Sequence, residues 1–201
     1  VNGRGSVSVR LAAGKYYANV TFDNGNYSTA VTNAVFEVYP AVNNVKVIVN
    51  NVAYGDSSVI VVYADVDGVY TVDVNGTVKQ VSVVDHLGNF SLSLGVGRYY
   101  ANVTFDDGNY STVITNASFE VYKAVNNVVV SVGNVTYGNK SVVVVSADVD
   151  GVYTLDLNGE IRTIEVVEGN YSVSVLLPVG KYYANVTFDN GNYTSIITNA
   201  T

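Results

Sequence analysis

One fourteen-residue segment occurs three times in this chain. It reads GKYYANVTFDNGNY at 14–27, GRYYANVTFDDGNY at 97–110 and GKYYANVTFDNGNY at 180–193, with 83 residues from one start to the next. The same spacing separates AVNN at 41 and 124, and ADVDGVYT at 64 and 147. Repetition at a fixed period indicates that one structural unit is used several times.

The repeat divides the 201 residues into three copies. Copy one (1–40) matches only the C-terminal half of a repeat, copy two (41–123) is complete, and copy three (124–201) lacks the segment equivalent to SFEVYK. We therefore expect the chain to be an excerpt of a longer array.

Within a copy, apolar and polar residues alternate with a period of two, and Val, Ile, Tyr, Phe and Thr are abundant, which is typical of strands. In copy two the pattern predicts strands at 45–49, 58–65, 68–74, 77–84, 89–94, 98–105 and 112–122. Asn75-Gly76 predicts a type I′ hairpin turn, and DDGN at 106–109 a second turn of the same kind. Seven short strands without helical periodicity predict tandem immunoglobulin-like antiparallel β-sandwiches, with a closed barrel as the alternative.

The alternation also predicts which way side chains point. In RYYANVTF, Tyr99, Ala101, Val103 and Phe105 share the core side of the strand, and Asn102 and Thr104 share the solvent side. An inward tyrosine at this place is typical of the tyrosine corner, whose hydroxyl bonds a nearby backbone group.

The outward asparagine belongs to an N-x-S/T acceptor tripeptide for N-glycosylation. The chain holds thirteen such tripeptides, where chance placement of its Asn, Ser and Thr would give about four. Asn75 is explained by its hairpin turn. The predicted glycosylation sites are Asn19, Asn26, Asn89, Asn102, Asn109, Asn116, Asn134, Asn139, Asn170, Asn185, Asn192 and Asn199.

The run GKYYANVTFDNGNYSTAVTNAVFEV resembles the end of the Ig-like repeats in archaeal, methanogen-type adhesin-like surface proteins. VYTVDVNG is similar to the middle hairpin of those repeats, and the resemblance extends over all three copies. It implies a tandem Ig-like sandwich at the outside of an archaeal cell, in a stalk, an adhesin or a fibre.

Several classes of site find no support in the residues. We predict no enzyme and no cofactor, because the one histidine, His86, has no catalytic partner in the sequence and no phosphate-binding loop occurs. A metal site is not predicted either, although calcium at the Asp65/Asp67 and Asp148/Asp150 pairs is an alternative. A Lys–Asn isopeptide bond is not expected, because no lysine keeps its place in all copies.

Net charge and hydropathy exclude other partners. A formal charge of −7 without a basic run argues against nucleic acid, and no apolar run is long enough to cross a membrane in this segment. We expect neighbouring repeats, copies of the same chain in a fibre or array, and other cell surfaces as partners.

We therefore predict a non-catalytic, extracellular cell-surface protein, in which glycosylated Ig-like repeats form a rod-like stalk or an adhesin. Two alternatives stay open. One is an extracellular filament assembled by β-strand donation, although copy one, with three predicted strands, offers more than the one strand that is missing. The other is carbohydrate binding through the outward tyrosines Tyr17, Tyr100 and Tyr183.

Overall fold

The computed structural model describes residues 3–194 and 196–201, and residues 1, 2 and 195 of the predicted copies one and three lie outside the description. Within these ranges the regular structure is entirely β. The strands are β1 Gly14–Phe22, β2 Ala30–Val38, β3 Val45–Val49, β4 Val52–Ala53, β5 Ser58–Ala64, β6 Gly68–Val74, β7 Thr77–Val83, β8 Leu87–Leu92, β9 Gly97–Phe105, β10 Val113–Tyr122, β11 Val128–Val132, β12 Ser141–Ala147, β13 Gly151–Leu157, β14 Glu160–Val166, β15 Asn170–Val175, β16 Ala184–Phe188 and β17 Ile196–Ala200.

The chain forms two compact units. Unit 1 is Val1–Val49, Val59–Ser91 and Tyr99–Phe119, and unit 2 is Asn50–Ser58, Leu92–Arg98 and Glu120–Thr201. Their bounds differ from those of the copies, because three short segments of copy two cluster with copy three.

Copy two forms an immunoglobulin-like sandwich, as its alternation predicts. One sheet has the order β3-β5-β8 and the other β4-β10-β9-β6-β7. Neighbouring strands of known register are antiparallel except β4 and β10, which pair in parallel at Val52↔Val121 and Ala53↔Tyr122. Alternate residues are buried along both sheets, which places the core between them. The buried apolar side chains are Val47, Ile60, Val62, Ala64, Tyr70, Val72, Val74, Val81, Val83, Ala101, Val103, Phe105, Phe119 and Val121.

Copy three repeats this design with sheets β11-β12-β15 and β14-β13-β16-β17. Its core is again built from alternate residues of both sheets, with Tyr153, Leu155, Val143 and Val186 almost completely buried. The burial pattern of β13 matches that of β6 residue for residue.

Copy one differs from the prediction. Its described part contains two strands rather than three, and these form an isolated hairpin running from Gly14↔Val38 to Phe22↔Ala30. Residues 4–12 form no strand. In copy two the equivalent strand is β8, which pairs with β5. Copy one has no strand equivalent to β5, so a third strand would have no partner there.

The turns agree with the prediction in one case and differ in the other. Asn75 and Gly76 have φ of 45° and 92°, as a type I′ turn requires. The 106–109 turn is not of this type, because Gly108 has positive φ and Asp107 does not. Its Asp107 carboxylate instead accepts hydrogen bonds from the backbone of Asn109 (2.9 Å) and Tyr110 (3.1 Å). That arrangement widens the connection into a loop.

Candidate functional surfaces

In copies two and three, the sheet that contains β9 or β16 carries rows of amide and carboxylate side chains on its outward face. Asn102 lies opposite Asp73, and Asn185 lies between Asp156 and Asn199 on the neighbouring strands. Asn19 lies opposite Asn33 in the copy-one hairpin. Next to Asn102, Ala101 and Val103 are completely buried, so the predicted register is confirmed.

Exposure was predicted for all three strand-borne asparagines of the repeated segment. Asn19 and Asn102 are exposed, whereas Asn185 is half-buried. The tyrosines expected on the core side, Tyr16, Tyr99 and Tyr182, are half-buried rather than buried. Tyr16 and Tyr99 lie near the first residue of β1 and β9, and Tyr182 lies two residues before β16.

The twelve predicted glycosylation sites fall into two groups. Seven lie on strands, at Asn19, Asn89, Asn102, Asn116, Asn170, Asn185 and Asn199. Five lie in turns and loops, at Asn26, Asn109, Asn134, Asn139 and Asn192. All are exposed except Asn185 and Asn192, which are half-buried.

Some of these side chains have hydrogen-bond partners. Asn170 accepts from the Ser146 hydroxyl (3.0 Å) and donates its Nδ2 to the Glu168 carbonyl (3.1 Å). The Oδ1 of Asn109 accepts from the Ala13 backbone (3.1 Å). A sugar attached to Nδ2 of Asn170 would compete with its bond to Glu168, whereas the bond from Ala13 to Asn109 uses Oδ1 and leaves Nδ2 of Asn109 to the sugar.

Tyr16 and Tyr182 each form the tyrosine corner expected in the repeated segment. The Tyr16 hydroxyl donates to the carbonyl of Ala12 (2.8 Å), and the Tyr182 hydroxyl to that of Pro178 (3.2 Å), each four residues upstream. Tyr16 also stacks on Phe36 at 5.7 Å, as Tyr99 does on Phe119 at 5.5 Å.

A second tyrosine network is more deeply buried and was not predicted. The Tyr70 hydroxyl donates to the carbonyl of Val66 (2.7 Å) and accepts from Nδ2 of Asn43 (2.8 Å). Tyr153 repeats both bonds with Val149 (2.6 Å) and Asn126 (2.8 Å). The signal in the sequence was the joint recurrence of AVNN and ADVDGVYT, since the network joins these two motifs.

These buried hydroxyls make stability depend on alkaline pH. Burial raises the pKa of Tyr70 and Tyr153, partly offset by the amides of Asn43 and Asn126, and nearby carboxylates raise it further. Because the pKa of tyrosine in the unfolded chain is about 10, the neutral hydroxyl stabilises the fold fully below that pH, and stability falls as pH rises toward the folded pKa.

We expect urea denaturation to show that the free energy of unfolding falls above about pH 10. It should be shallower in the Tyr70→Phe/Tyr153→Phe variant, and an unchanged slope there would refute the assignment.

The aspartate pairs have structural partners in the fold. Asp65 accepts from the backbone (3.3 Å) and side chain of Asn44, and Asp67 accepts from the backbone of Asp85 (3.1 Å) and His86 (3.0 Å). The bonds from His86 and Asp85 lower the pKa of Asp67. Copy three repeats this arrangement at Asp148 and Asp150. No cluster of three or more metal-ligating side chains occurs in the described ranges.

A cavity of about 590 Å³ lies within unit 2, at the end of the copy-three sandwich. Val135, Tyr182 and Ala200 are among the residues that line it. The equivalent place in copy two holds Phe119 and Val121, which are both buried. The strand-donation hypothesis requires an acceptor surface of this kind, and it stays a prediction.

Over the described residues, no helix is both long and apolar enough to cross a membrane.

No protein-family model matches the sequence, and no curated protein matches it. Solved structures of three β-rich proteins resemble it distantly. A Ca²⁺-stabilised adhesin with which an Antarctic bacterium binds ice is 19% identical over 92% of this chain and 55% of its own, with a TM-score of 0.31. The fibronectin(III)-like modules of Clostridium thermocellum CbhA are 15% identical (78% and 91% covered, TM-score 0.33), and the FN1–FN3 domains of chicken CNTN1 are 14% identical (92% and 75%, TM-score 0.28). The chain thus spans about half the length of the adhesin, and at these TM-scores the likeness carries no argument.

Proposed function

We propose that this chain is a non-catalytic structural segment of an extracellular cell-surface protein, in which tandem Ig-like sandwiches form a stalk or adhesin. The proposal keeps the three copies as its building blocks and includes the resemblance to archaeal adhesin-like proteins. Its partners are neighbouring repeats, copies of the same chain and other cell surfaces.

The observation that carries the proposal is the close junction between copies. Strand β10 ends at Tyr122, and Ala124 already bonds the backbone of Asn192 (3.1 Å) and Thr194 (2.9 Å) in copy three. Only Lys123 lies between them. The joint between the copies therefore contains no Gly/Ser linker, which is the composition that makes a connection flexible.

A ring contact inside unit 2 reinforces this junction. Tyr54 of copy two packs edge-on against Tyr193 of copy three, with ring centroids 5.6 Å apart. Aromatic pairs at this distance contribute about 0.5–1.5 kcal/mol beyond the area that they bury. A stiff connection between successive sandwiches is what a stalk requires.

Truncation of Tyr54 should loosen the junction. Tyr137 is its copy-three equivalent and is 76% exposed, so Tyr137→Ala is the matched control. The chain has no cysteine, and Thr77→Cys with Glu160→Cys therefore places one spin label at the same position in each copy. We expect Tyr54→Ala to broaden the label-to-label distance distribution and Tyr137→Ala to leave it unchanged; equal widths in both variants would contradict the proposal.

Glycans on the outward faces are the second part of the proposal. Asn19 and Asn102 are both exposed, and the residues on either side of Asn102 are buried, so a sugar on either amide reaches solvent without disturbing the core. We expect peptides of the native protein to carry a mass increment at Asn19, Asn102 and Asn185. Asn33 is the internal control, because it is exposed opposite Asn19 but has no Ser or Thr two residues later. Unmodified native peptides across all three sites would refute this part.

A further inference from the structure

Copy two carries an open groove on the outer face of the sheet β3-β5-β8. Its volume is about 410 Å³, and Asn44, Lys46, Tyr63, Asp65 and His86 are among its lining residues. All of them belong to unit 1. The volume is within the range of pockets that hold small ligands.

The groove is where the two sandwiches differ in chemistry. Asn44 and Asp65 recur in copy three as Asn127 and Asp148, whereas Lys46, Tyr63 and His86 are replaced by Val129, Ser146 and Gly169. These three positions lie far apart in the sequence and meet at one surface. Because copy three folds without these side chains, the sandwich itself does not require them.

His86 has an unusual backbone for a side chain of its size. It lies in the left-handed region with φ of 68°, and Gly169 occupies the same region in copy three with φ of 74°. Glycine enters this region at no steric cost, whereas residues with a Cβ do so uncommonly. A side chain kept in such a conformation is a reason to look for a function.

A hydrogen bond also sets the tautomer of the neutral imidazole. Its Nδ1 lies 3.0 Å from the carbonyl oxygen of Ala64, and a carbonyl can only accept, so Nδ1 carries the hydrogen. Nε2 of the neutral ring is therefore an acceptor, suited to a ligand hydroxyl.

Lys46 and Tyr63 provide the other two chemical elements. They lie directly opposite each other on β3 and β5, and the Tyr63 side chain is 45% exposed. Among the described residues the Lys46 ammonium forms no ion pair. A cation next to an accessible aromatic ring favours a ligand with one carboxylate and a flat apolar face.

We propose that this groove binds a carboxylated sugar of the uronic acid type. Lys46 pairs with the carboxylate, the Tyr63 ring packs against the face of the sugar ring, and Nε2 of His86 accepts a hydrogen bond from a hydroxyl. Asn44 and Asp65 are bonded to each other and form the floor. Binding belongs to copy two alone and is separate from the structural role of the repeats.

The test is a titration of the whole chain with tri-galacturonic acid, followed by NMR shifts of labelled protein. The fully methyl-esterified trisaccharide is the matched ligand, because it keeps the rings and loses the charges. We expect saturable shifts around Lys46, Tyr63 and His86 with the acid, and an affinity about fivefold lower with the ester, as expected for an exposed ion pair.

The variants exchange copy-two residues for those of copy three. Lys46→Val should remove the difference between acid and ester, whereas Tyr63→Ser and His86→Gly should weaken both ligands. Tyr39→Ser, at an exposed tyrosine elsewhere in unit 1, should change neither. Amide shifts of the core strands report whether each variant remains folded.

Three outcomes of the sugar titrations would overturn the proposal. They are no saturable shift up to about 10 mM sugar, equal affinity for acid and ester in the unaltered chain, and shifts that persist in the triple exchange variant. A response of His86 to Zn²⁺ alone, without a response to sugar, would also overturn it and would assign a metal to the groove.

Discussion

Replacing Tyr70 by alanine is expected to lower the free energy of unfolding of copy two by about 3–5 kcal/mol. Its side chain is completely buried and stacks on Phe105 with ring centroids 4.4 Å apart. Truncation leaves a cavity and also removes the hydroxyl that bonds Val66 and Asn43. Hydrogen–deuterium exchange of β6 measures the effect locally, and β13 in copy three serves as the reference strand.

Two further variants separate packing from hydrogen bonding. Tyr70→Phe keeps the ring but leaves the amide of Asn43 and the carbonyl of Val66 without their hydrogen-bond partner. We expect this to lower the free energy of unfolding by about 1–3 kcal/mol. Tyr100→Phe removes a hydroxyl from an outward side chain that is 48% exposed, and we expect no measurable change. If Tyr70→Phe were as neutral as Tyr100→Phe, the network of Asn43 and Tyr70 would have no stabilising role.

The second large effect is expected at two adjacent residues of β9. Val103→Asn places an amide in a fully buried position, which costs about 1–3 kcal/mol for the unpaired polar group in addition to lost packing. Asn102→Val, one residue earlier, changes an exposed side chain and should leave the unfolding free energy nearly unchanged. Denaturation by urea measures both.

This pair tests the register directly, because a shift of β9 by one residue would exchange the two positions. Comparable destabilisation by both substitutions would contradict the assigned faces. So would a larger cost for Asn102→Val than for Val103→Asn.

The sequence predicted the features that depend on local alternation. Six of the seven strands predicted in copy two match the observed ones within one residue at each end, and the seventh, placed at 89–94, is found at Leu87–Leu92. The Asn75-Gly76 turn was predictable because few residue pairs adopt positive φ twice in succession. Strand β4 was missed because two residues cannot show a period.

Other features depend on residues that are distant in the chain. The third strand expected in copy one is not seen in its described part, since local pattern does not reveal whether a partner strand exists. The hydrogen bond between Asn43 and Tyr70 joins residues 27 positions apart. The local sequence around either residue does not predict this partner. Among the surface sites, the exposure of Asn19 and Asn102 followed the alternation, whereas Asn185 is half-buried. The meeting of Lys46, Tyr63 and His86 depends on strands β3 and β5 and the turn before β8, which are distant in the chain.

The parallel pairing of β4 with β10 has a mechanical consequence. The chain enters copy two through the segment 41–53 and leaves it through the segment 110–122, which ends with β10. These two segments are joined side by side at Ala41↔Tyr110, Val52↔Val121 and Ala53↔Tyr122. Tension along the polypeptide pulls the two segments in opposite directions, so the hydrogen bonds between them share the load and must break together. The β1–β2 hairpin has both ends on one side and opens one pair at a time. A complete copy therefore resists stretching in a way that the hairpin alone does not.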